Sequence, residues 1–553
     1  MLRNFDSFTA LIVSILILYL CLFGYTLSDY GLNFDAALGE IHLGDRYFHF
    51  LTSFDWKYLD FTQSTIDLYN RESHPDFFAH SAYAIHWRHH FWGFAQTLTA
   101  ASKYVLYGIF DICDPIDAHH FVLGLLVALQ ALVLSLFVRR ELGTTAALFC
   151  TIALLSHPRF WAHAHNNPKD ITEAALYTFI VVSFYKGIIK DKSHYITMSA
   201  VLWGLALATK ANALFLTVIL GPWVGIVALA RWRRKESLIS GTVFDSLLWF
   251  PFLGLATTIV AWPLLMVNFP EYVGKHFNFL LWRGLEGPNH WQIMPWYKLL
   301  ITTPPVFLVL GILGILMVFV SFFKRQHSQV FYPLLLLWFF IPILRVSIPK
   351  ANDFDMIRHW IEFLPAFAIL AGIGARSVVD VVGMVWQRVS GTEARFLRLP
   401  TTSLVFAALA FSPTLYWNVK NHPYQVVYFN DLVGGLAGAQ EKGLLEATDY
   451  WGSSYRVAYR WLNENVEPHS ILFVGFAEHI VDMMKDIRLR KDIQFKKFSE
   501  FEVTMKQHDG PVYLMYATRK RHYQTQVHDL DRTSNPVHEV RVDGGVVLRI
   551  LKL

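Results

Sequence analysis

The sequence predicts a polytopic α-helical membrane protein that ends in a small external α/β domain. Three observations predict it. Of the 553 residues, 54% are hydrophobic and only 16% are charged, against about 25% charged in an average soluble domain. The apolar residues gather into blocks near the bilayer-spanning length of about 20 residues, and many blocks hold no charge. Beyond Lys420 the pattern changes to frequent charges with no spanning block. The net charge of +5 is a mild excess that a positive-inside bias explains, so no nucleic-acid partner is expected. Cys21, Cys113 and Cys150 show no repeating spacing, and neither a disulfide framework nor a cysteine metal site is indicated.

The first block, 8–27, follows a short start containing Arg3 and has no small-residue cleavage site before Asp29. It is too long for a signal-peptide core and is expected to be a retained span. Further blocks at 121–138, 144–155, 172–189, 195–208, 213–230, 247–267, 306–323, 331–344, 360–373 and 404–416 bring the expected count to about eleven. Threaded alternately, they put Arg139/Arg140, Lys186/Lys190/Lys192, Arg231/Arg233/Arg234/Lys235, Lys324/Arg325 and Arg376/Arg388/Arg395/Arg398 on one side. By the positive-inside rule that side, and the N-terminus, is cytoplasmic. The outer side receives the loops 29–120 and 268–298, the connections 157–170 and 345–358, and everything after Trp417. The expected division is therefore a transmembrane domain at 1–417 and an external domain at 418–553. Within the latter, 454–465 has helical periodicity, while 470–476 and 511–516 read as strands. The stretch 540–553 reads as two apolar alternations around an Asp543-Gly544-Gly545 turn. The sequence has no internal repeat, which counts against the inverted-repeat transporters.

The outer side carries the polar chemistry. In 33–50, helical spacing puts Asp35, Gly39, His42, Arg46 and His49 on a stripe that would face a cavity, and Phe34, Leu38, Ile41 and Phe48 on another. Glu40, rotated about 140° from Asp35 in an α-helix, is expected to point elsewhere. A solvated interfacial helix would show the same spacing. The connection 157–170 packs His157, Arg159, His163, His165, Asn166, Asn167, Lys169 and Asp170 between two spans. Pro158 and Pro168 are expected to keep its backbone irregular, as tolerated where it lines a polar cavity. Its cations suit a phosphate or lipid headgroups. Its His spacings match no usual zinc pattern. Lys210, in a nearly chargeless stretch, is costly unless paired, in a polar cavity or snorkelling. Arg358-His359, preceded by Asp353 and Asp355, has the same readings. His74, His80, His86, His89 and His90 read as interfacial packing rather than a metal cluster.

Together these residues resemble a particular group. The run from Ser156 to Asp170 (SHPRFWAHAHNNPKD), Ala208-Thr-Lys-Ala-Asn-Ala-Leu214, Met294-Pro-Trp-Tyr-Lys298 leading into Thr302-Thr-Pro-Pro305, and Ile357-Arg-His359 are four of its parts. The tail adds His422-Pro-Tyr-Gln-Val-Val-Tyr-Phe-Asn430 and Asp449-Tyr-Trp-Gly-Ser-Ser-Tyr455. The chain resembles the bacterial relatives of the dolichyl-phosphate-mannose protein mannosyltransferases, in the GT-C superfamily that also holds the lipid A aminoarabinose transferase. The resemblance implies a GT-C type fold in a bacterial inner membrane, with the C-terminal domain periplasmic. It implies a polyprenyl-phosphate sugar donor, transfer on the outer face, and an acid of the first outer loop as general base. Asp35 falls where that acid is expected. Many relatives have Asp-Glu adjacent there, whereas Ala36 and Ala37 follow Asp35, leaving Glu40 as the substitute second carboxylate. Lys169, Lys210, Arg358 and His359 are then the candidate donor-phosphate ligands, with His42, Arg46, His165, Asn167 and Asp170 in the substrate cavity. The acceptor is a hydroxyl of a glycolipid, polysaccharide or protein, and the other partners are membrane lipids. No nucleotide cofactor is expected without a P-loop or Rossmann fingerprint; a divalent metal ion is the cofactor left open. The alternative, a transporter or flippase of lipid-linked sugars, would place ionisable residues near the midplane and show pseudo-symmetric halves. The charges here gather at one face, which favours the enzyme.

Overall fold

The computed structural model describes residues 6–61, 88–323 and 330–553. Arg3, His74, His80, His86, the Lys324/Arg325 cluster, and the side chains of His89 and Arg398 lie outside the described residues. Seven described helices are long and apolar enough to cross a membrane: Ser7–Asp29, Pro115–Leu142, Pro168–Lys190, Ala211–Arg233, Gly241–Ala261, Pro305–Phe322 and Arg358–Ser390. Thr144–Ser156 and Phe331–Ser347 are shorter apolar helices. The blocks expected at 195–208 and 404–416 form the helices Ser193–Leu207 and Pro400–Lys420. The chain is a multi-pass membrane protein.

Local chemistry sets the helix ends. The Asp114 carboxylate accepts from the amides of Ile116 and Asp117 at 3.0 Å, Pro115 opens the first turn, and Gly143 (φ 89°) ends the helix Pro115–Leu142. Small residues set one close helix contact. A Cβ on Gly314 would run into the Leu370 carbonyl oxygen, and one on Gly374 into that of Leu310. The helices Pro305–Phe323 and Leu364–Ser390 therefore touch backbone to backbone, as small residues permit between membrane helices.

Three basic clusters meet at one end of the bundle. Arg139 reaches Asp6, at 3.0 Å from Oδ1; Arg376 donates to the Leu142 carbonyl at 2.7 Å, and Arg231 to that of Ile188 at 2.8 Å. Lys169 and Lys190 lie at opposite ends of one helix, so the segments carrying the outer-side motifs gather at the other end.

One expectation is corrected here. The connection 157–170 is not irregular: Pro158 and Pro168 each open a helix, Pro158–Asn166 and Pro168–Lys190. A proline in the first turn loses no intrahelical hydrogen bond, so the ring that breaks a helix interior starts one here. The backbone leaves helical geometry at His157 and at Asn167, whose side chain accepts from the Asp170 amide at 3.1 Å.

The C-terminal part carries five strands, β1 (Ile471–Val474), β2 (Gln494–Phe495), β3 (Val512–Ala517), β4 (His538–Val542) and β5 (Gly545–Lys552). They form one sheet in the order β2-β1-β3-β5-β4, with β2, β1 and β3 parallel and β5 antiparallel to both neighbours. Every residue of β1 and β3 is buried, which is why both read as unbroken apolar runs. Asp543 and Gly544, both at positive φ, make the turn between β4 and β5. The domain is fastened to the bundle. Buried Arg456 donates to Asp117 at 2.7 Å, to Asp114 at 2.5 Å and to the Tyr30 carbonyl at 3.0 Å. Asn430 donates to the carbonyls of Leu300 and Thr303 at 2.6 and 2.8 Å.

Candidate active site

Asp35 is positioned by what precedes and follows it. Asn33 donates to the Asn166 carbonyl and accepts from the Ala36 amide at 2.9 Å, while the Phe34 amide donates to the Trp451 carbonyl of the C-terminal domain at 3.1 Å. The chain then makes a kinked turn, Ala36–Glu40, before the α-helix Ile41–Ser53. The backbone of Gly39 (φ 167°, ψ −12°) is not helical, so α-helical rotation does not carry across it, and Asp35 and Glu40 come to the same side. The expectation that Glu40 points elsewhere, drawn from α-helical rotation, is therefore corrected. Lys169 bridges the two carboxylates, with Nζ 3.1 Å from Asp35 and 3.0 Å from Glu40.

Two further cations arrive from two other connections. Arg358 lies 3.8 Å from Asp35, 3.4 Å from Asp170 and 2.6 Å from Asp355. Lys210 lies 2.7 Å from the other oxygen of Asp170 and donates to the His359 carbonyl at 3.1 Å. Asn167 donates to Asp170 at 2.8 Å and holds it in place. The C-terminal domain completes the group: the Trp451 ring lies 4.1 Å under the Arg358 guanidinium, and Arg519 pairs with Asp355 at 2.7 Å. Asp449 builds the turn that presents Trp451, accepting from the amides of Gly452 and Ser454 at 3.1 and 2.7 Å.

Asp35, Lys169, Lys210, Arg358 and His359 all line one cavity of about 480 Å³, whose remaining wall includes Phe279, Leu280 and Trp282. Its mixture of apolar wall and convergent polar groups is the usual make-up of a ligand site. Asp35 is 22% exposed, whereas Glu40 is 2% and Asp170 0% exposed, so Asp35 is the carboxylate that a ligand meets. Burial opposes ionisation of Asp35, but the Lys169 ammonium and Arg358 guanidinium outweigh it and hold the carboxyl below its ordinary value. Burial wins at Glu40 and raises its carboxyl toward the neutral form despite Lys169. It also pulls the Lys210 ammonium below its usual range, against the attraction of Asp170.

Other sequence candidates lie elsewhere. Arg46 is buried and donates to the Tyr58 carbonyl at 2.8 Å, with its guanidinium 4.0 Å over the Phe61 ring; it fastens the chain after its own helix. His42 is buried beside it on the helix Ile41–Ser53, outside the cavity lining. The part of the stripe that carries them starts beyond the kink at Gly39, which breaks its register with Asp35. The His165 ring stacks on Tyr30 at 4.1 Å and bonds the Thr26 hydroxyl at 3.0 Å, which ties the first span to the helix Pro158–Asn166. At His359 the backbone carbonyl is the busy group, accepting also from Asn212 at 2.7 Å and Arg345 at 2.6 Å. Its ring lines the cavity, and Nε2 is buried with no hydrogen-bond partner among the described residues.

Sequence reading passed over Trp451, Arg519 and the pair Arg345–Glu362 (2.8 Å). The Asp449–Tyr455 motif pointed at Trp451 without giving it a role; Arg519 sits in an ordinary polar loop and gave no signal. Among the described residues, no group of three or more His, Cys, Asp or Glu side chains is disposed to hold a metal ion.

The fold and site define a class: a multi-pass membrane protein with an ionic cavity at one end of its bundle, closed in part by a small α/β domain. Residues 102–254, which include Lys169, Asp170 and Lys210, match the family model described as dolichyl-phosphate-mannose-protein mannosyltransferase. That match bears out the relationship to GT-C glycosyltransferases that the motifs indicated. No curated protein matches the chain. Among solved structures, the chain is similar to ArnT from Cupriavidus metallidurans bound to undecaprenyl phosphate, at 14% identity and a TM-score of 0.47, over 99% of this chain and 98% of that one. It is also similar to the Archaeoglobus fulgidus oligosaccharyltransferase in its apo form, at 13% identity and a TM-score of 0.43, over 77% and 62% of the two chains. The same enzyme, AglB, in complex with an inhibitory peptide and a dolichol-phosphate matches at 12% identity and a TM-score of 0.42, over 77% and 61%.

Proposed function

We propose that the protein is a membrane glycosyltransferase that moves a sugar from a polyprenyl-phosphate-linked donor to an acceptor hydroxyl. One observation carries the reading. A single cavity holds a partly exposed, ionised carboxylate against three cations drawn from three separate connections, and two of those cations, Lys169 and Lys210, lie in a segment related to dolichyl-phosphate-mannose-protein mannosyltransferases.

The chemistry follows from those groups. Asp35 takes the proton of the acceptor hydroxyl as its oxygen bonds to the anomeric carbon. The bond from that carbon to the phosphate oxygen breaks, and the lipid phosphate leaves with the electron pair. Lys169, Lys210 and Arg358 stabilise its charge where apolar walls keep the interaction strong. Burial raises the Glu40 carboxyl toward its neutral form, which eases the hold of Glu40 on Lys169 when a phosphate arrives. Glu40, buried beneath Lys169, positions that ammonium.

In this reading the basic end of the bundle faces the cytoplasm of a bacterial inner membrane, and the cavity and the C-terminal domain face the periplasm. The acceptor is a glycolipid, a polysaccharide or a protein hydroxyl. Mass spectrometry of envelope glycolipids, polysaccharides and glycoproteins, from cells with and without the protein, tests the proposal. Loss of one sugar from a hydroxyl-linked position is expected, and an unchanged envelope would contradict it.

A further inference from the structure

A second cleft, of about 400 Å³, opens beside the first, and the segment that carries Asp35 separates them. Phe34 lines the second cleft, Asp35 lines the first, and Leu38 lines both. The far wall belongs to the C-terminal domain and has a definite place in its sheet. Gly475 and Phe476 follow β1, Phe495 ends β2 with Lys497 just beyond it, and His522 and Gln524 follow β3. All three parallel strands therefore deliver residues from their carboxyl ends. The order β2-β1-β3 means that the chain leaves β1 first to one side and then to the other. A crevice at such a switch point, outside the carboxyl ends of parallel strands, is where open α/β sheets hold ligands.

The lining says what kind of ligand fits. Aromatic faces dominate: Phe34 stacks on Phe476 with ring centroids 6.2 Å apart, His479 meets Phe34 edge-on at 4.5 Å, and His522 lies 5.9 Å from Phe476. Glu478, which accepts from the Phe498 amide at 2.6 Å, Asp482, which pairs with Lys485 at 2.6 Å, Lys497 and Gln524 complete the lining. Burial lowers the His479 imidazole below its ordinary value, which favours its neutral form. Two carboxylates against Lys485 and Lys497 leave no excess positive charge for a phosphate, and so many polar groups do not suit a hydrocarbon chain. Flat aromatic surfaces with donors and acceptors at their edges match a pyranose, which has an apolar C–H face and a rim of hydroxyls.

We propose that this cleft is the acceptor subsite and binds a neutral saccharide unit of the acceptor, whose free hydroxyl reaches Asp35 past Leu38. The acceptor is then a carbohydrate-bearing molecule rather than a bare polypeptide. The role as acceptor subsite rests on the transferase reading; the capacity to bind saccharide does not.

The two parts are tested separately on the full-length protein in detergent. Saturation-transfer NMR with mannotriose, cellotriose and chitotriose is expected to show binding of at least one of them. Lys497 and Gln524 are exposed, so Lys497→Ala/Gln524→Ala should leave the core intact while weakening that binding about tenfold or more, as loss of hydrogen bonds does. Phe495→Ala should weaken it through the stacking face, and Asp35→Asn should retain it. The cleft is overturned if no trisaccharide binds, if binding survives both sets of cleft variants, or if a serine-containing peptide binds there and the saccharides do not. A protein that binds saccharide yet never releases polyprenyl phosphate from donor refutes the transferase reading and leaves the cleft standing.

Discussion

Asp35 stands apart from the other carboxylates of its cluster because it alone is both ionised by neighbouring cations and open to the cavity. Asp35→Asn keeps the shape and removes the base, so transfer should fall by about 10²- to 10⁴-fold while donor binding persists. Its pH dependence has a definite sign. A base whose carboxyl is held below the ordinary value stays ionised until the pH falls through that lowered value. The acid limb of kcat/KM should therefore lie below about pH 4, the usual aspartate value; a limb near neutrality would exclude Asp35 as base. Neutralising Lys169, Lys210 or Arg358 should weaken donor binding by about 1.5 to 3 kcal/mol each, the range for charge-assisted hydrogen bonds. Titration with a short-chain donor analogue measures this, and unchanged affinity in all three variants would remove the phosphate site. Glu40→Gln should act more mildly than Asp35→Asn and through donor affinity, because Glu40 touches Lys169 and not the cavity. At this scale the sequence showed which cations gather, through motifs that share a face of the membrane. It did not show Glu40 joining Asp35, because spacing read as one continuous α-helix takes no account of the kink at Gly39.

The helices themselves were legible because length and apolarity are written directly in the chain. Each expected block falls on a helix, although Thr144–Ser156 and Phe331–Ser347 are short of the usual spanning length. The 157–170 connection was misread for a physical reason: proline opens a helix as readily as it breaks one, and position decides. Short strands are the harder case, and β2, with only two residues, had no periodicity to read. Contacts between elements are less legible still. That Gly314 and Gly374 let two helices touch at the backbone appears only in the packing. Gly314→Val should force those helices apart and cost about 1 to 3 kcal/mol, seen as a lower melting temperature of the detergent-solubilised protein. An unchanged melting temperature would mean that the contact has room to yield.

At the scale of the whole molecule, the C-terminal domain is part of the site, since it supplies Trp451 and Arg519 around Arg358 and Asp355. Arg456 fastens it, and Arg456→Ala would leave Asp114 and Asp117 partly unpaired at a buried contact. Breaking a buried pair costs about 3 kcal/mol or more, here lessened by Arg488, which lies 2.9 Å from Asp114. Limited proteolysis should then release the domain sooner than in the parent protein; equal resistance would show that Arg456 is not the fastening. The sequence marked this domain as separate by its charge, but not its role at the cavity, because Trp451, Arg519 and Arg456 find their partners far along the chain, 164 residues away for Arg519–Asp355 and 342 for Arg456–Asp114. The most direct test of a lipid-phosphate sugar transferase with Asp35 as its base is a paired measurement on purified protein. Parent and Asp35→Asn are incubated with a short-chain polyprenyl-phosphate sugar and an envelope extract, and free polyprenyl phosphate is quantified beside donor binding. We expect release by the parent and, with donor affinity intact, at least about a hundredfold slower release by the variant. Equal release by both, or none by either, would contradict the central claim.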